Sequence, residues 1–205
     1  MVYVALDPDC RPGTGDLGSA TACVSEFATG RPLAGVVQLC PAALEAPQGE
    51  LVDTLVHELL HVLGFSPSAF PTFPGAAEYV REAGGGVTLA FPEVLEVART
   101  HYGCPGLAGI PLEDGGGQGT KDAHWEAAWV GDREVMLGAS FRQGRAILSP
   151  LTLAVLAASG WWATDPGAAG LWRFARGIGC DIETDARCEH REYMHAAAAP
   201  GGAED

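Results

Sequence analysis

Residues 57–65 read HELLHVLGF, and this short stretch carries the strongest structural and chemical signal in the chain. On a helix, residues four apart lie one above the other, so His57 and His61 would present two imidazoles to one point. Glu58 lies one position round the helix and would reach a water held at that point. Two nitrogen ligands on a rigid support, beside a carboxylate that can accept a proton, are what a zinc hydrolase needs.

The residues around this stretch predict a buried helix rather than a solvated surface helix. Residues 50–64 read ELVDTLVHELLHVLG, in which apolar side chains occupy most of the helix circumference. A helix that is apolar nearly all round is buried, and buried imidazoles and carboxylates need partners. Gly64 suits the left-handed conformation that ends a helix, which would place His61 on the last turn. We therefore interpret His57 and His61 as zinc ligands and Glu58 as a general base.

The identity of a third ligand is left open by residue spacing. Catalytic zinc typically has three protein ligands and a water. The common metzincin pattern, H-E-x-x-H-x-x-G-x-x-H, is matched as far as Gly64, but Pro67 stands where the third histidine would be. Four candidates remain: Glu78, Glu82, His101 and His124. The two glutamates have the spacing of the glutamate ligand in thermolysin-like peptidases.

Further segments of the chain resemble leishmanolysin and the related invadolysins. In chain order the matching segments are RPLAGVV at 31–37, GFS at 64–66, PLED at 111–114, HWE at 124–126, MLG at 136–138, LTLA at 151–154, SGW at 159–161 and GCD at 179–181. The resemblance covers about residues 2–190. It implies that His124 is the third ligand of one catalytic Zn²⁺ ion, and that Met136 forms a methionine turn beneath the metal.

The resemblance also implies the fold class. We expect an α+β, metzincin-like, two-lobed zinc protease with a small twisted sheet, an active-site helix and a mostly irregular or helical C-terminal lobe. The expected parts are an N-terminal lobe with edge strands and the zinc helix at 1–65, an insertion at 66–120, a C-terminal lobe with the third ligand and the methionine turn at 121–195, and a disordered tail at 196–205.

Local sequence patterns predict individual elements. We expect strands at 2–6 and 36–40, because both are short and rich in β-branched residues. Helices are predicted at 19–28, 76–83, 91–99 and 150–159, the last ended by Gly160. In the metzincin-like architecture that the resemblance implies, the strand at 36–40 would border the cleft, where a peptide substrate could pair with it.

Composition and charge exclude several classes of partner. The chain has 205 residues and a formal net charge of −14, with eleven arginines and the single lysine Lys121. Nucleic acids and anionic membrane surfaces require a Lys/Arg excess, so neither is expected as a partner. No apolar run approaches the roughly 20 residues of a transmembrane helix. We expect a monomer that acts on protein or peptide substrates.

The cysteine content predicts disulfide bonds and an oxidising compartment, since the six cysteines include no C-x-x-C pair. The resemblance implies a pair between Cys104 and Cys180. One pair is expected among Cys10, Cys23 and Cys40, and Cys188 would lack a partner in this chain. The N-terminus shows no signal peptide and the C-terminus no lipid-anchor signal. We therefore expect a fragment of a longer precursor that is extracellular, secretory or cell-surface.

The function that these observations predict is a zinc-dependent endopeptidase with Glu58 as its general base. One alternative is a catalytically inactive, zinc-bound module that binds proteins through the same cleft. Glu58 weighs against it, because a structural zinc site usually closes with a fourth protein ligand and has no use for a carboxylate there. The other alternative is a thermolysin-like peptidase in which Glu78 or Glu82 binds the metal.

Overall fold

The computed structural model of the chain describes residues 1–10, 17–83, 85–115, 120–138 and 144–185. Within these ranges the fold is α+β, with two three-stranded sheets and several helices. The predicted tail at 196–205 and Cys188 lie outside the described residues. The division into an N-terminal lobe, an insertion and a C-terminal lobe stays a prediction.

The first sheet is formed by strands β1 (Val2–Leu6), β2 (Gly18–Ser25) and β3 (Pro32–Leu39). Strand β3 is central, parallel to β1 and antiparallel to β2. The strands expected at 2–6 and 36–40 are confirmed, the second as part of the longer β3. The helix expected at 19–28 is wrong, because pairing with β3 overrides the weak helical preference of these small residues.

The position of β3 also corrects the expected substrate strand. Both edges of β3 are paired, so it has no free backbone groups to offer a peptide along its length. Strands β1 and β2 are the edge strands of this sheet, and Gly18, the first residue of β2, lies against Glu58. Of the two edge strands, β2 is therefore the one placed beside the predicted general base.

The helix predicted around residues 50–64 is confirmed as α2 (Gln48–Leu63), which follows the short α1 (Pro41–Glu45). One face of α2 packs on the first sheet in a small core formed by Val37, Leu39, Ala43 and Val62, with Leu17, Ala20, Leu51, Leu55 and Leu59 against it. Gly64 ends the helix with φ 128°, and its N–H donates to the carbonyls of Leu60 and His61. The helix is not buried all round, since Val52 is 41% exposed.

The second sheet lies in the middle of the chain. It contains β4 (Val80–Ala83), β5 (Gly86–Leu89) and β6 (Ile110–Pro111), each antiparallel to its neighbour. The helix expected at 76–83 is only partly correct: α3 (Ala76–Tyr79) ends where β4 begins to pair with β5. The helix expected at 91–99 is confirmed as α4 (Pro92–Tyr102).

The last described part carries α5 (Ala127–Val130), α6 (Pro150–Ala158) and α7 (Ile182–Asp185). Helix α6 confirms the expectation for 150–159; Ser149 caps its N-terminus by accepting the N–H of Thr152. It packs against α4 in the main core, which also contains Phe65, Trp125 and Met136. No helix in the described ranges combines the length and apolarity that crossing a membrane requires.

Two disulfide bonds fasten loops to this framework. Cys104 pairs with Cys180, as the resemblance implied, and Cys10 pairs with Cys40, which confirms one pair among the first three cysteines. Cys23 is free and exposed. The two bonds are consistent with an oxidising compartment.

Candidate metal centre

Three histidine rings converge at one end of α2. His57 and His61 lie one turn apart on the helix, and His124 comes from the loop between β6 and α5. The Nε2 atom of His57 is 3.0 Å from that of His61 and 3.2 Å from that of His124. The main chain of His124 is held in place because its carbonyl accepts the N–H of Glu113 at 2.9 Å. The three rings thus form one cluster from distant parts of the sequence.

Backbone carbonyls fix the orientation of each ring. The Nδ1 atoms lie 2.6 Å from the Val135 oxygen for His57, 2.8 Å from the Phe65 oxygen for His61, and 3.0 Å from the Thr120 oxygen for His124. A carbonyl oxygen only accepts, so each Nδ1 carries the proton and donates it. In a neutral ring the Nε2 atom then has a bare lone pair, and all three lone pairs face the same point.

Burial keeps these rings neutral. It lowers the pKa of His57 to about 4 and of His61 to about 3, and it also lowers the pKa of His124. Three lone pairs this close repel one another unless a cation lies between them. A tetrahedral zinc with bonds of about 2.0–2.1 Å would set its nitrogens about 3.3 Å apart, close to the two distances measured here. The donor set therefore fits a zinc ion.

Glu58 lies beside this cluster on α2 and is only 5% exposed. Its Oε2 atom is buried and has no hydrogen-bond partner among the described residues. Burial raises the pKa of Glu58 to about 7. A buried polar atom without a partner calls for an explanation, such as a catalytic role or a bound water or ion. A carboxyl group that titrates near neutral pH suits proton transfer at that pH.

Met136 is fully buried in the main core. Its carbonyl accepts the N–H of Trp125, the residue after His124, at 2.9 Å. Val135, which precedes it, supplies the carbonyl that orients His57. The turn at Met136 is thus joined to two of the three histidines, whereas its role as a floor beneath a metal stays a prediction.

The other three candidate ligands lie outside the cluster. Glu78 on α3 and Glu82 on β4 are exposed. The ring of His101 stacks on Trp172 with centroids 3.7 Å apart, and its Nε2 lies 2.8 Å from the Phe174 oxygen. A carbonyl partner gives this nitrogen the proton, so it has no lone pair for a metal.

Two buried carboxylates near the site were not expected from the sequence. Asp53, one turn before His57, binds the guanidinium of Arg145. Glu134 is fully buried and accepts hydrogen bonds from the Met136 N–H and from the hydroxyls of Ser149 and Thr152. Burial raises the pKa of Glu134, and these hydrogen bonds oppose the rise. Asp53 could have been noticed in the sequence as an acidic residue among the apolar residues of the predicted buried helix. No residue near Glu134 in the sequence indicates that it is buried.

Comparison with known proteins identifies relatives over nearly the whole chain. The family model described as Leishmanolysin matches residues 1–195. A leishmanolysin-like peptidase from Drosophila pseudoobscura pseudoobscura is 31% identical over 80% of this chain, and a leishmanolysin homolog from Crithidia fasciculata is 32% identical over 90%. A ciliated left-right organizer metallopeptidase from Mus musculus is 30% identical over 91%.

The alignments cover a much smaller part of the relatives than of this chain. They include 30% of the Drosophila protein, 28% of the Crithidia protein and 29% of the mouse protein. The chain therefore spans somewhat less than a third of the length of these relatives.

Proposed function

This chain belongs to the leishmanolysin family of metallopeptidases, and we propose that it is a zinc-dependent endopeptidase. The observation that carries the proposal is the convergence of three Nε2 atoms, on His57, His61 and His124. The other nitrogen of each ring, Nδ1, donates its proton to a backbone carbonyl. Three protein ligands would leave the fourth tetrahedral position of a zinc ion for water, as a catalytic zinc site requires.

His57, His61 and His124 would hold the metal through Nε2. A zinc ion bound there supplies Lewis acidity, which polarises the scissile carbonyl and lowers the pKa of a coordinated water to about 7. The three backbone carbonyls keep the rings in register for that task and fix the tautomer that leaves each Nε2 free.

Glu58 is the general base of this proposal. Its unpartnered Oε2 accepts the proton of the attacking water, and the same carboxyl group then donates that proton to the leaving amine. Burial raises the pKa of Glu58 to about 7, which suits a group that accepts and then donates a proton near neutral pH. Met136 contacts no substrate in this scheme and supports the ligands from the core side.

The substrate is proposed to be an extended peptide or protein segment. Strand β2 is an edge strand of the first sheet among the described residues and begins at Gly18, against Glu58. An extended chain could add to this edge by main-chain hydrogen bonds, which are independent of substrate sequence. We further propose a monomer of two metzincin-like lobes that acts outside the cell or in the secretory pathway, in keeping with its disulfide bonds.

The test is metal content together with peptide cleavage by this chain, produced in an oxidising host. One zinc per chain is expected, with cleavage of casein or a quenched fluorescent peptide that a chelator abolishes and added zinc restores. Glu58→Gln should keep the zinc and lower the rate by about 10²–10⁴, because it preserves shape and removes the base. Glu82→Gln, an exposed change, serves as the matched control and should leave the rate unchanged.

Three results would contradict the proposal. Cleavage that survives a chelator would exclude the metal, and a Glu58→Gln rate within a few-fold of the parent would exclude the base. A chain that binds zinc through the three histidines but cleaves nothing would instead be the inactive, zinc-bound interaction module.

A further inference from the structure

One peptide group connects a buried carboxylate to a ring of the metal cluster. Glu134 accepts the N–H of Met136, while the carbonyl of Val135 accepts the Nδ1–H of His57 at 2.6 Å. That N–H and that carbonyl belong to the same trans peptide. We propose that Glu134 is a positioning residue of the metal site, which holds His57 through this peptide; the inference rests on the proposed function.

The planarity of the peptide makes this coupling rigid. In a trans peptide the N–H and the C=O point in opposite directions and cannot turn independently. When the Glu134 carboxylate fixes the N–H of Met136, it also fixes the direction of the Val135 carbonyl. That carbonyl in turn sets the tilt and tautomer of the His57 ring. Glu134 thus acts on a proposed ligand without touching it.

A second branch of hydrogen bonds leads from Glu134 toward His124. The Nε1–H of Trp125 donates to the Thr152 hydroxyl at 2.9 Å, and that hydroxyl donates to Glu134 Oε1 at 2.6 Å. Trp125 follows His124 in sequence, and its own N–H is held by the Met136 carbonyl. One carboxylate therefore joins the segments that carry or orient two of the three histidines.

The hydrogen bonds that converge on position 134 favour an ionised carboxylate there. The Thr152 hydroxyl already accepts from Trp125, and the Ser149 hydroxyl accepts from the Thr152 N–H, so both direct their protons at Oε1. Oε2 faces another donor, the Met136 N–H. A glutamine would turn its NH₂ group toward one of these sides, and two donors would then face each other in the core.

Charge adds a further contribution. A carboxylate that accepts from a peptide N–H polarises the peptide and makes its carbonyl a stronger acceptor. When its Nδ1–H donates to a stronger acceptor, the Nε2 atom of His57 becomes a more basic ligand. A carboxylate that accepts directly from a zinc-bound histidine has the same effect in known zinc sites. The N-terminus of α6, where Ser149 lies, favours the negative charge.

The experiment compares zinc affinity, measured by competition with a chromophoric chelator, among variants of the whole chain. Glu134→Gln should weaken zinc binding on the order of 10-fold, the lower range for loss of an outer partner of a ligand. Thr152→Val removes the hydroxyl but keeps the shape, and should weaken binding in the same direction. Thr152→Ser keeps the hydroxyl and should restore affinity to about the parent value.

A control variant separates positioning from general stability. Ser159→Ala removes a buried hydrogen bond at the other end of α6, so it should lower the thermal midpoint of the metal-free chain without changing zinc affinity. If Glu134→Gln fails to fold, the zinc affinities of Thr152→Val and Thr152→Ser test the inference instead.

Two outcomes would overturn the inference in distinguishable ways. Parent-like zinc affinity in both Glu134→Gln and Thr152→Val would overturn it alone and leave the proposed function standing. A parent chain that binds no zinc, or binds it equally well after His61→Ala, would overturn the proposed function and this inference with it.

Discussion

Asp53 binds Arg145 across 92 positions of sequence, with three hydrogen bonds of 2.8–3.0 Å between its carboxylate and the guanidinium. Oδ2 of Asp53 also accepts the N–H of Ala146 at 2.8 Å. Because Asp53 lies one turn before His57, this contact ties the ligand-bearing helix to the segment that follows the Met136 turn. The pair joins a buried carboxylate to an exposed guanidinium.

The first prediction concerns this pair. Arg145→Ala should lower the thermal midpoint, because it leaves the Asp53 carboxylate buried with the Ala146 N–H as its remaining partner. Asp53→Ala should also lower it, since that N–H loses its acceptor. The thermal midpoint of the double variant should fall by less than the sum of the two single decreases, with a difference of a few degrees or more. Strict additivity in thermal unfolding would contradict the coupling.

A second prediction is that acid destabilises the metal-free chain through its histidines. Burial lowers the pKa of His57 from 6.5 to about 4 and of His61 to about 3. Below pH 6.5 the unfolded chain therefore binds protons that the native chain does not, and stability is lost as the pH falls. Glu58 opposes this, because its pKa is raised from 4.5 to about 7 and the native chain holds that proton longer.

More histidines than glutamates are shifted, so we expect the net effect to keep the sign of the histidines. The pKa is lowered for four histidines and raised for three glutamates: His57, His61, His101 and His124 against Glu58, Glu113 and Glu134. The thermal midpoint of the metal-free chain should fall between about pH 6.5 and pH 4. His61→Gln should make the fall shallower, because it removes a histidine whose pKa is lowered to about 3. A midpoint that rises on acidification through this window would show that the glutamates dominate.

Local signals predicted the features that depend on neighbouring residues. Helix α2 was predicted from the spacing of His57 and His61, from its many apolar residues and from Gly64, signals that all lie within a few positions of one another. Strand β2 was missed, because SATACVS has no strong alternation and becomes a strand only by pairing with β3. The same reason applies to β4, where pairing with β5 ends the helix expected to continue from Ala76.

For the site, too, the sequence predicted the residues that lie close together in the chain and not the contacts between distant segments. His57, His61 and Glu58 were visible in one helical turn, whereas residue spacing alone left His124 as one of four candidates. Glu134 gave no signal, since its partners Ser149 and Thr152 lie 15 and 18 positions away and only the fold brings them together. Contacts between distant segments leave no periodic pattern in a single sequence.

A third prediction follows from the close approach of Gly18 to Glu58. A Cβ atom at position 18 would lie 3.2 Å from Glu58 Oε1 and 3.0 Å from the Gln38 carbonyl oxygen. Gly18→Ala should therefore displace the base and lower the cleavage rate on the order of tenfold. Zinc affinity should stay unchanged, because no ring of the cluster is touched. Ser19→Ala, the exposed neighbour on β2, is the matched control.

If Gly18→Ala cleaves peptides at the parent rate, Glu58 tolerates displacement and its position is less constrained than the packing indicates. If the variant instead loses zinc, the substitution displaces helix α2 together with its histidines and not only the Glu58 side chain. Metal content and rate measured on the same preparation distinguish these two results.

The last prediction separates the three-histidine site from a glutamate-ligand site. His124→Ala should lower zinc affinity by more than the 10–100-fold typical of an outer partner, because two nitrogens on a single helix cannot enclose the ion. Glu78→Ala and Glu82→Ala change exposed residues outside the cluster and should leave zinc binding intact. His101→Ala should lower the thermal midpoint through the lost stacking on Trp172, but not zinc affinity. Zinc binding that survives His124→Ala and fails in either glutamate variant would replace the three-histidine site with the thermolysin-like alternative, since only a carboxylate brought in from α3 or β4 could then complete the coordination.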